Sequence, residues 1–249
     1  MPCRRGRWRP SLVVMDTSQR PLRRSEGFGR QLLAAALLAA ATWWLAGPTG
    51  SWLGWSGQAW LAAGIVVPVA HQVLAGVGWR AELFDRWFTR RFGRHGLRVF
   101  GAGFFTLFVL RPVVVLGVAA SSPGTLWDPS AASLVAAAVL AAPAVWTFLS
   151  VALYFGIPRA LGVDHFQPGY DEPLVQRGAF AVVPNAMYVF GFLALWAIAV
   201  ALGSRAGLAA AAFQHAMIWA HYRWIEQPDM DVIYAGRPIA ASGTGGAER

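Results

Sequence analysis

Residues 132–157 read ASLVAAAVLAAPAVWTFLSVALYFGI, a run without a single charged side chain. A helix needs about 20 apolar residues to cross the hydrocarbon core of a bilayer, so this run is long enough to span a membrane. It is too long for a strand, and it lacks the alternation of apolar and polar residues that marks a membrane barrel strand. The run therefore predicts a transmembrane helix.

Five more apolar segments accompany this one. In chain order, the six segments are 31–47, 57–79, 99–120, 132–157, 186–203 and 206–224. The chain of 249 residues is 56% hydrophobic and only 13% charged, whereas an average soluble domain is roughly 25% charged. These observations predict an all-α fold, a polytopic membrane helix bundle of about six transmembrane helices that ends in a C-terminal helical hairpin.

The charged residues indicate how the bundle lies in its membrane. All 21 basic residues are arginines, and with 12 acidic residues they give a formal charge of +9. They lie next to apolar runs, which favours anionic lipid head groups as partners and argues against nucleic acid. Arginines are dense before the first segment and in 80–98, while 48–56 carries no charge. The positive-inside rule then places both termini in the cytoplasm, and we expect the plasma membrane as the location.

These patterns divide the chain into four regions. We expect a basic cytoplasmic tail, N-terminal membrane helices, a region that carries polar clusters, and a flexible tail, over 1–30, 31–149, 150–238 and 239–249. Segment 80–98 mixes aromatic residues with arginines, which suits a helix in the membrane interface or a plain basic loop. The only cysteine, Cys3, excludes an intramolecular disulfide. No histidine or cysteine spacing predicts a metal site.

Two polar residues interrupt the apolar segments. An ionised side chain in the hydrocarbon costs at least a few kcal/mol, so Arg111 should face the bundle, pair with another group or line a wet cavity. It marks a functional site, or a kink at Pro112 where the guanidinium reaches backbone carbonyls. His71 is interpreted as a hydrogen-bonded packing residue.

The last helix predicts a polar face. Offsets of seven and eleven residues bring His215, Tyr222 and Glu226 close to one stripe, while His221 lies off it. A belt of interfacial aromatic anchors explains the neighbouring tryptophans but gives no reason for His215 or Glu226. We therefore predict a functional face at the cytoplasmic end of this hairpin, where a charged cofactor can meet a lipid.

The polar clusters that bracket the hairpin resemble the integral-membrane methyltransferases, which include phosphatidylethanolamine N-methyltransferases and isoprenylcysteine carboxyl methyltransferases. Phospholipid N-methyltransferases carry Asn-Pro-Met-Tyr where this chain has Asn185-Ala-Met-Tyr188. They carry Glu-Glu-Pro and then Ile-Tyr where it has Glu226-Gln-Pro228 and Ile233-Tyr234. Tyr154-Phe-Gly-Ile157 and Gly178-Ala-Phe180 are similar to further elements. The chain departs from the pattern at Ala186 and Gln227.

The resemblance implies a methyltransferase-like catalytic region over 150–238. It implies an enzyme that uses S-adenosylmethionine to methylate a membrane lipid amine, most simply phosphatidylethanolamine or its methylated derivatives. The residues it points to are Gly178, Asn185, Tyr188 and Glu226 for cofactor binding, and His215, His221 and Tyr222 for accepting a proton.

Several alternatives stay open. Asn185 could simply cap the fifth helix and bind no ligand. Glu226 could form an ordinary surface pair with Arg223. The connection 158–185 could cover the cofactor or be a solvated loop. The same membrane architecture serves isoprenylcysteine-type carboxyl methyltransferases and sterol or lipid reductases. A non-enzymatic lipid-binding or transport protein is the third possibility, with Arg111 and His71 along its pathway.

Overall fold

The computed structural model describes residues 20–239, and most of them are helical. The outer parts of the two predicted tails, 1–19 and 240–249, lie outside the described residues. The helices are α1 (Phe28–Ala46), α2 (Gly57–Asp85), α3 (Trp87–Phe92), α4 (Gly96–Ser121), α5 (Ala131–Ser150), α6 (Ile157–Ala160), α7 (Val163–Phe166), α8 (Leu193–Ala201), α9 (Arg205–His221) and α10 (Gln227–Ala235).

Shorter elements complete the chain. Strands β1 (Ser51–Trp52) and β2 (Trp55–Ser56) form a small antiparallel hairpin. The 3-10 turns are Gly93–His95 and Gly178–Ala181, and the π-helical turns are Val151–Phe155, Met187–Gly191 and Tyr222–Glu226. All six predicted apolar segments are helical, so the all-α class is confirmed.

Four stretches of helix are long and apolar enough to cross a membrane: Phe28–Ala46, Gly57–Asp85, Trp87–Ser121 and Ala131–Phe155. Met187–Ala201 is apolar but shorter. Large apolar side chains such as Leu37, Trp44 and Val139 are exposed on the outer faces of these helices. Because so much apolar surface needs an apolar solvent, the chain is a membrane protein.

Close helix packing builds the centre of the bundle. Leu61, Val115, Val118 and Leu195 lie in one buried cluster to which α2, α4, α8 and α9 all contribute. A side chain at Gly207 would come within 2.7 Å of Ala119 and 3.1 Å of Ala199. Small residues let membrane helices approach each other closely, and Gly207 does so where α9 meets α4 and α8.

The second helix runs further than its apolar segment, through Asp85 rather than residue 79. Its buried Glu82 accepts hydrogen bonds from the backbone N–H groups of Phe88 at 2.9 Å and Thr89 at 3.1 Å. These bonds satisfy free donors at the start of α3 and fix the turn between the two helices. The predicted interfacial segment 80–98 therefore begins inside α2, and only part of it forms the short separate helix α3.

Candidate active site

The start of the fifth apolar segment meets the end of the sixth. The hydroxyl of Tyr188 donates a hydrogen bond to Oε2 of Glu226. The rings of Trp219 and Tyr222 pack edge-on against Tyr188, each with its centre 5.9 Å away. Arg223, the other expected partner of Glu226, lies 3.5 Å from Gln227 instead. Two residues predicted to bind the cofactor are thus in contact.

The predicted stripe on the last helix faces the fifth segment. The ring of His215 stacks on Phe192 at 5.2 Å, and its Nδ1 accepts a hydrogen bond from the indole of Trp196 at 3.1 Å. Tyr222 and Glu226 continue this face toward Tyr188. Periodicity therefore placed these side chains correctly.

His221 lies on the other side of the same helix and is fully buried. Its Nδ1 lies 3.2 Å from Nε2 of Gln31, and its ring lies 5.7 Å from that of Trp79. The amide nitrogen can only donate, so Nδ1 of His221 is the acceptor and the neutral ring carries its proton on Nε2. The same reasoning applies to His215. Neither histidine can take up a proton at Nδ1 without losing its present hydrogen bond.

The two other residues predicted to bind the cofactor, Asn185 and Gly178, differ in what the structure shows of them. The backbone carbonyl of Asn185 accepts from the N–H groups of Tyr188 and Val189 at 2.9 and 3.0 Å, but its side-chain amide makes no hydrogen bond within residues 20–239. Gly178 has a φ of +58°, and a Cβ there would overlap the hydroxyl of Ser150. Gly178 therefore allows a tight turn against α5, which is a structural reason for a glycine.

Three π-helical turns gather at one end of the bundle. They end α5, begin the fifth segment and follow α9, over Val151–Phe155, Met187–Gly191 and Tyr222–Glu226. The second holds Tyr188 and the third holds Glu226. Such turns shift side chains relative to a regular helix and are frequent at functional sites.

Residues 132–237 match the model of the phospholipid methyltransferase family. This part of the chain is therefore similar to that family. Neither the curated proteins nor the solved structures gave a significant match to the chain. The matched region, residues 132–237, contains all seven predicted site residues and all three π-helical turns. It also contains all of α5 except Ala131, and most of this helix lies before the predicted boundary at residue 150.

A buried ion pair anchors the end of the matched region to α2. Nε of Arg80 donates to Oδ1 of Asp229 at 2.9 Å, and the two side chains are 1% and 0% exposed. Arg80 also donates to the carbonyl oxygens of Arg24 and Glu26 in the segment before α1. Asp229 lies one helical turn after Glu226, so the pair fixes the backbone that presents Glu226. Sequence reasoning missed it, because Arg80 was explained by topology alone.

The connection before the hairpin folds onto the same end. His165, in α7, is buried, stacks on Trp79 at 4.9 Å, and places its Nδ1 2.9 Å from Asp164 and its Nε2 3.6 Å from Asp229. Burial alone would lower the pKa of His165, but the two carboxylates raise it to about 9. The hydroxyl of Tyr234 donates to Asp164 at 3.2 Å. At least this part of 158–185 is therefore packed against the bundle rather than solvated.

Two surface hollows lie near this end of the molecule. One of about 430 Å³ is lined by Asp85, Trp87, Arg90 and Arg91. The other, of about 340 Å³, is lined by Arg24, Ser25, Phe28, Val77 and Arg80. Neither hollow is lined by Tyr188 or Glu226, whose side chains are hydrogen-bonded to each other. Among residues 20–239, no group of three or more His, Cys, Asp or Glu side chains is arranged to hold a metal ion.

Proposed function

We propose that the protein uses S-adenosylmethionine to methylate the amine of a membrane phospholipid, most simply phosphatidylethanolamine or its methylated derivatives. The match of residues 132–237 to the phospholipid methyltransferase family model supports this reaction. The contact between Tyr188 and Glu226 is the observation that supports the proposal most directly. It brings together, at one end of the bundle, the two elements that resemble the family, Asn185-Ala-Met-Tyr188 and Glu226-Gln-Pro228.

The polar groups at this end fit the proposed cofactor. Glu226 offers Oε1, since only Oε2 is bonded within the described residues. Asn185 offers its whole side-chain amide. A carboxylate accepts hydrogen bonds from ribose hydroxyls or an ammonium group and complements positive charge. When bound, S-adenosylmethionine supplies a methyl group on a positively charged sulfur.

The surrounding residues would orient the reactants and exclude water. Tyr188, Trp219 and Tyr222 form an aromatic wall beside Glu226, and aromatic faces attract cations in a dry site. Of the three predicted proton acceptors, Tyr222 is part of this wall, whereas the Nδ1 atoms of His215 and His221 already accept hydrogen bonds. Position thus favours Tyr222 over the histidines.

We place the site at the cytoplasmic face of the plasma membrane. Arg80 begins the arginine-rich segment 80–98, and its bond to Asp229 supports the same face for that segment and for Glu226. The positive-inside rule assigns such a segment to the cytoplasm. A phospholipid head group in the inner leaflet and a soluble cofactor could then reach Glu226 from the same side.

Binding of labelled S-adenosylmethionine to the protein in detergent tests the cofactor. We expect wild type to retain it and Glu226→Gln to bind it at least about tenfold more weakly, because a charge-assisted hydrogen bond is worth about 1.5–3 kcal/mol. Asp231→Asn, the same kind of change in the helix α10 that follows Glu226, should bind like wild type. Equal binding by wild type and Glu226→Gln would contradict the role of Glu226. A nicotinamide dinucleotide in the same assay tests the reductase alternative.

Mass spectrometry of lipids from cells with and without the protein tests the acceptor. We expect added methyl groups on ethanolamine head groups only in cells that contain the protein. An unchanged head-group profile, together with retained S-adenosylmethionine, would redirect the proposal to a prenyl, sterol or small-molecule acceptor.

A further inference from the structure

Arg111 lies inside the bundle, in α4, and is 3% exposed. Its Nε donates to Oε1 of Gln214 at 2.9 Å, and its Nη2 donates to the Gln214 carbonyl at 3.3 Å. Nη1 lies 3.5 Å from Nδ1 of His71. The guanidinium carbon lies 4.6 Å from the centre of the Phe192 ring. Three neighbours from three different stretches of the chain therefore surround one guanidinium.

None of these neighbours is an acid. Among residues 20–239, Arg80, Arg111 and Arg237 are the buried arginines. Arg80 pairs with Asp229 and Arg237 with Glu26, each at 2.9 Å, but no carboxylate of the described residues lies within ion-pair distance of Arg111. A buried charge without a counter-charge is strongly unfavourable, all the more so in the middle of a membrane.

The surroundings of Arg111 also hold more donors than acceptors. A guanidinium carries five N–H groups, more than its three polar contacts use. Because Nδ1 of His71 faces a donor, the neutral His71 ring carries its proton on Nε2. That atom is buried and has no hydrogen-bond partner among the described residues. The Nε2–H of His71 points away from Arg111, so the donors available to a ligand there are the unused N–H groups of the guanidinium itself. Unused N–H donors on an uncompensated cation are the features of an anion site.

Phe192 connects this cluster with the candidate active site. Phe192 directly follows the π-helical turn that holds Tyr188. Its ring contacts Arg111 and stacks on His215 of the polar face. Arg111 thus lies further from this end of the bundle than Tyr188 and its partner Glu226.

We propose that Arg111 is the oxyanion-binding group of a site beneath the Tyr188–Glu226 pair, held in position by the acceptor atoms of Gln214 and His71. This inference rests on the proposed function and adds the anionic half of the ligand. Guanidinium groups bind phosphate and carboxylate oxygens through paired N–H donors. The oxyanion is the phosphodiester of the phospholipid substrate or the carboxylate of S-adenosylmethionine. Either molecule also carries a cationic group that Glu226 would attract.

Binding by wild type and Arg111→Gln, in detergent and without turnover, tests the site. One arm compares phosphatidylethanolamine with a phosphate-free amine of matched acyl chains. The other compares S-adenosylmethionine with its decarboxylated form. We expect Arg111→Gln to weaken binding at least tenfold in one arm, only for the probe that carries the oxyanion. The affected arm identifies the source of the oxyanion.

Two further variants complete the experiment. Arg205→Gln removes an exposed arginine at the start of α9 and should bind every probe like wild type. Arg111→Lys keeps the charge but loses the paired donors, so it should bind between wild type and Arg111→Gln; it also tests the site if Arg111→Gln fails to fold.

The outcomes separate this inference from the proposed function. If Arg111→Gln binds all four probes like wild type while wild type methylates lipid, the oxyanion site is wrong and the function stands. If phosphatidylethanolamine depends on Arg111 but wild type retains no S-adenosylmethionine, the function is wrong and the oxyanion site stands. An equal loss for probes with and without an oxyanion would show a structural role for Arg111 and overturn the inference.

Discussion

Replacing Asp229 by alanine should destabilise the protein far more than the loss of an exposed ion pair does. The change leaves the guanidinium of Arg80 buried beside a methyl group, with only backbone carbonyls as partners. Breaking a buried pair by removing one member costs about 3–5 kcal/mol. For a chain of this size each kcal/mol lowers the melting temperature by about 2–4 °C. Asp229→Ala should therefore melt about 6–20 °C below wild type.

A neighbouring pair supplies the matched control. Arg24 and Asp85 form an ion pair near the same end, with side chains 56% and 34% exposed. Exposed pairs contribute at most about 1 kcal/mol, so Asp85→Ala should lower the melting temperature by no more than about 4 °C. Both variants can be compared in detergent by the change in tryptophan fluorescence on heating.

A double-mutant cycle isolates the interaction from its surroundings. Arg80→Met alone leaves the Asp229 carboxylate unpaired and also removes donors from the carbonyls of Arg24 and Glu26. If Arg80 and Asp229 stabilise each other, the double variant should be less destabilised than the sum of the single variants by at least about 1 kcal/mol. Additive losses, or an Asp229→Ala variant as stable as Asp85→Ala, would refute the reasoning.

Three other residues give sharp expectations. His165 has a pKa of about 9 in the folded protein against 6.5 ordinarily, so its stabilising effect is complete below about pH 6.5 and is lost as the pH rises through about 9. Thermal unfolding should show wild type losing on the order of 2–3 kcal/mol over that range and His165→Gln losing much less; parallel curves would contradict this. Gly178→Ala should cost about 1–3 kcal/mol in the same assay, because of its positive φ and its overlap with Ser150, and an unchanged melting temperature would show that the turn adapts. Asn185→Ala should weaken binding of labelled S-adenosylmethionine about fivefold, the worth of one hydrogen bond, at an unchanged melting temperature. Unchanged binding would show that Asn185 does not contact the cofactor.

Features with a fixed period could be predicted from the sequence. The six apolar segments follow from length alone, because a bilayer sets how many residues a span needs. The separation of His215 and Glu226 from His221 follows from the rotation of a helix per residue. The structure places His215 and Glu226 toward the fifth segment and His221 toward Gln31. The family elements at Asn185 and Glu226 were recognisable because their spacing is local.

Features that depend on distant partners could not be predicted. Arg80 and Asp229 are 149 positions apart, and a sequence shows two charges without showing that they meet. The positive-inside rule already accounts for an arginine in 80–98, so nothing in the sequence pointed to the ion pair of Arg80 with Asp229. The π-helical turns have no signal in the apolar pattern, since one extra residue in a turn leaves composition unchanged. The helix α2 continues past its apolar run to Asp85, and the carboxylate of Glu82 in this extension caps the start of α3. Hydropathy does not reveal such a capping interaction.

The three buried arginines differ in their partners according to how far they lie from the water-facing end of the bundle. Arg80 and Arg237 tie the segment before α1, the end of α2 and the last helix together near the water-facing end, and both have carboxylates. If charges served stability alone, the best compensated one would lie deepest, where an unpaired charge costs most. Arg111 shows the opposite, since the deepest of the three has only neutral partners. A rigid end that presents Glu226, above an interior with free donors at Arg111, is the arrangement expected of a site for a zwitterion, with its cation toward the water and its anion toward the membrane.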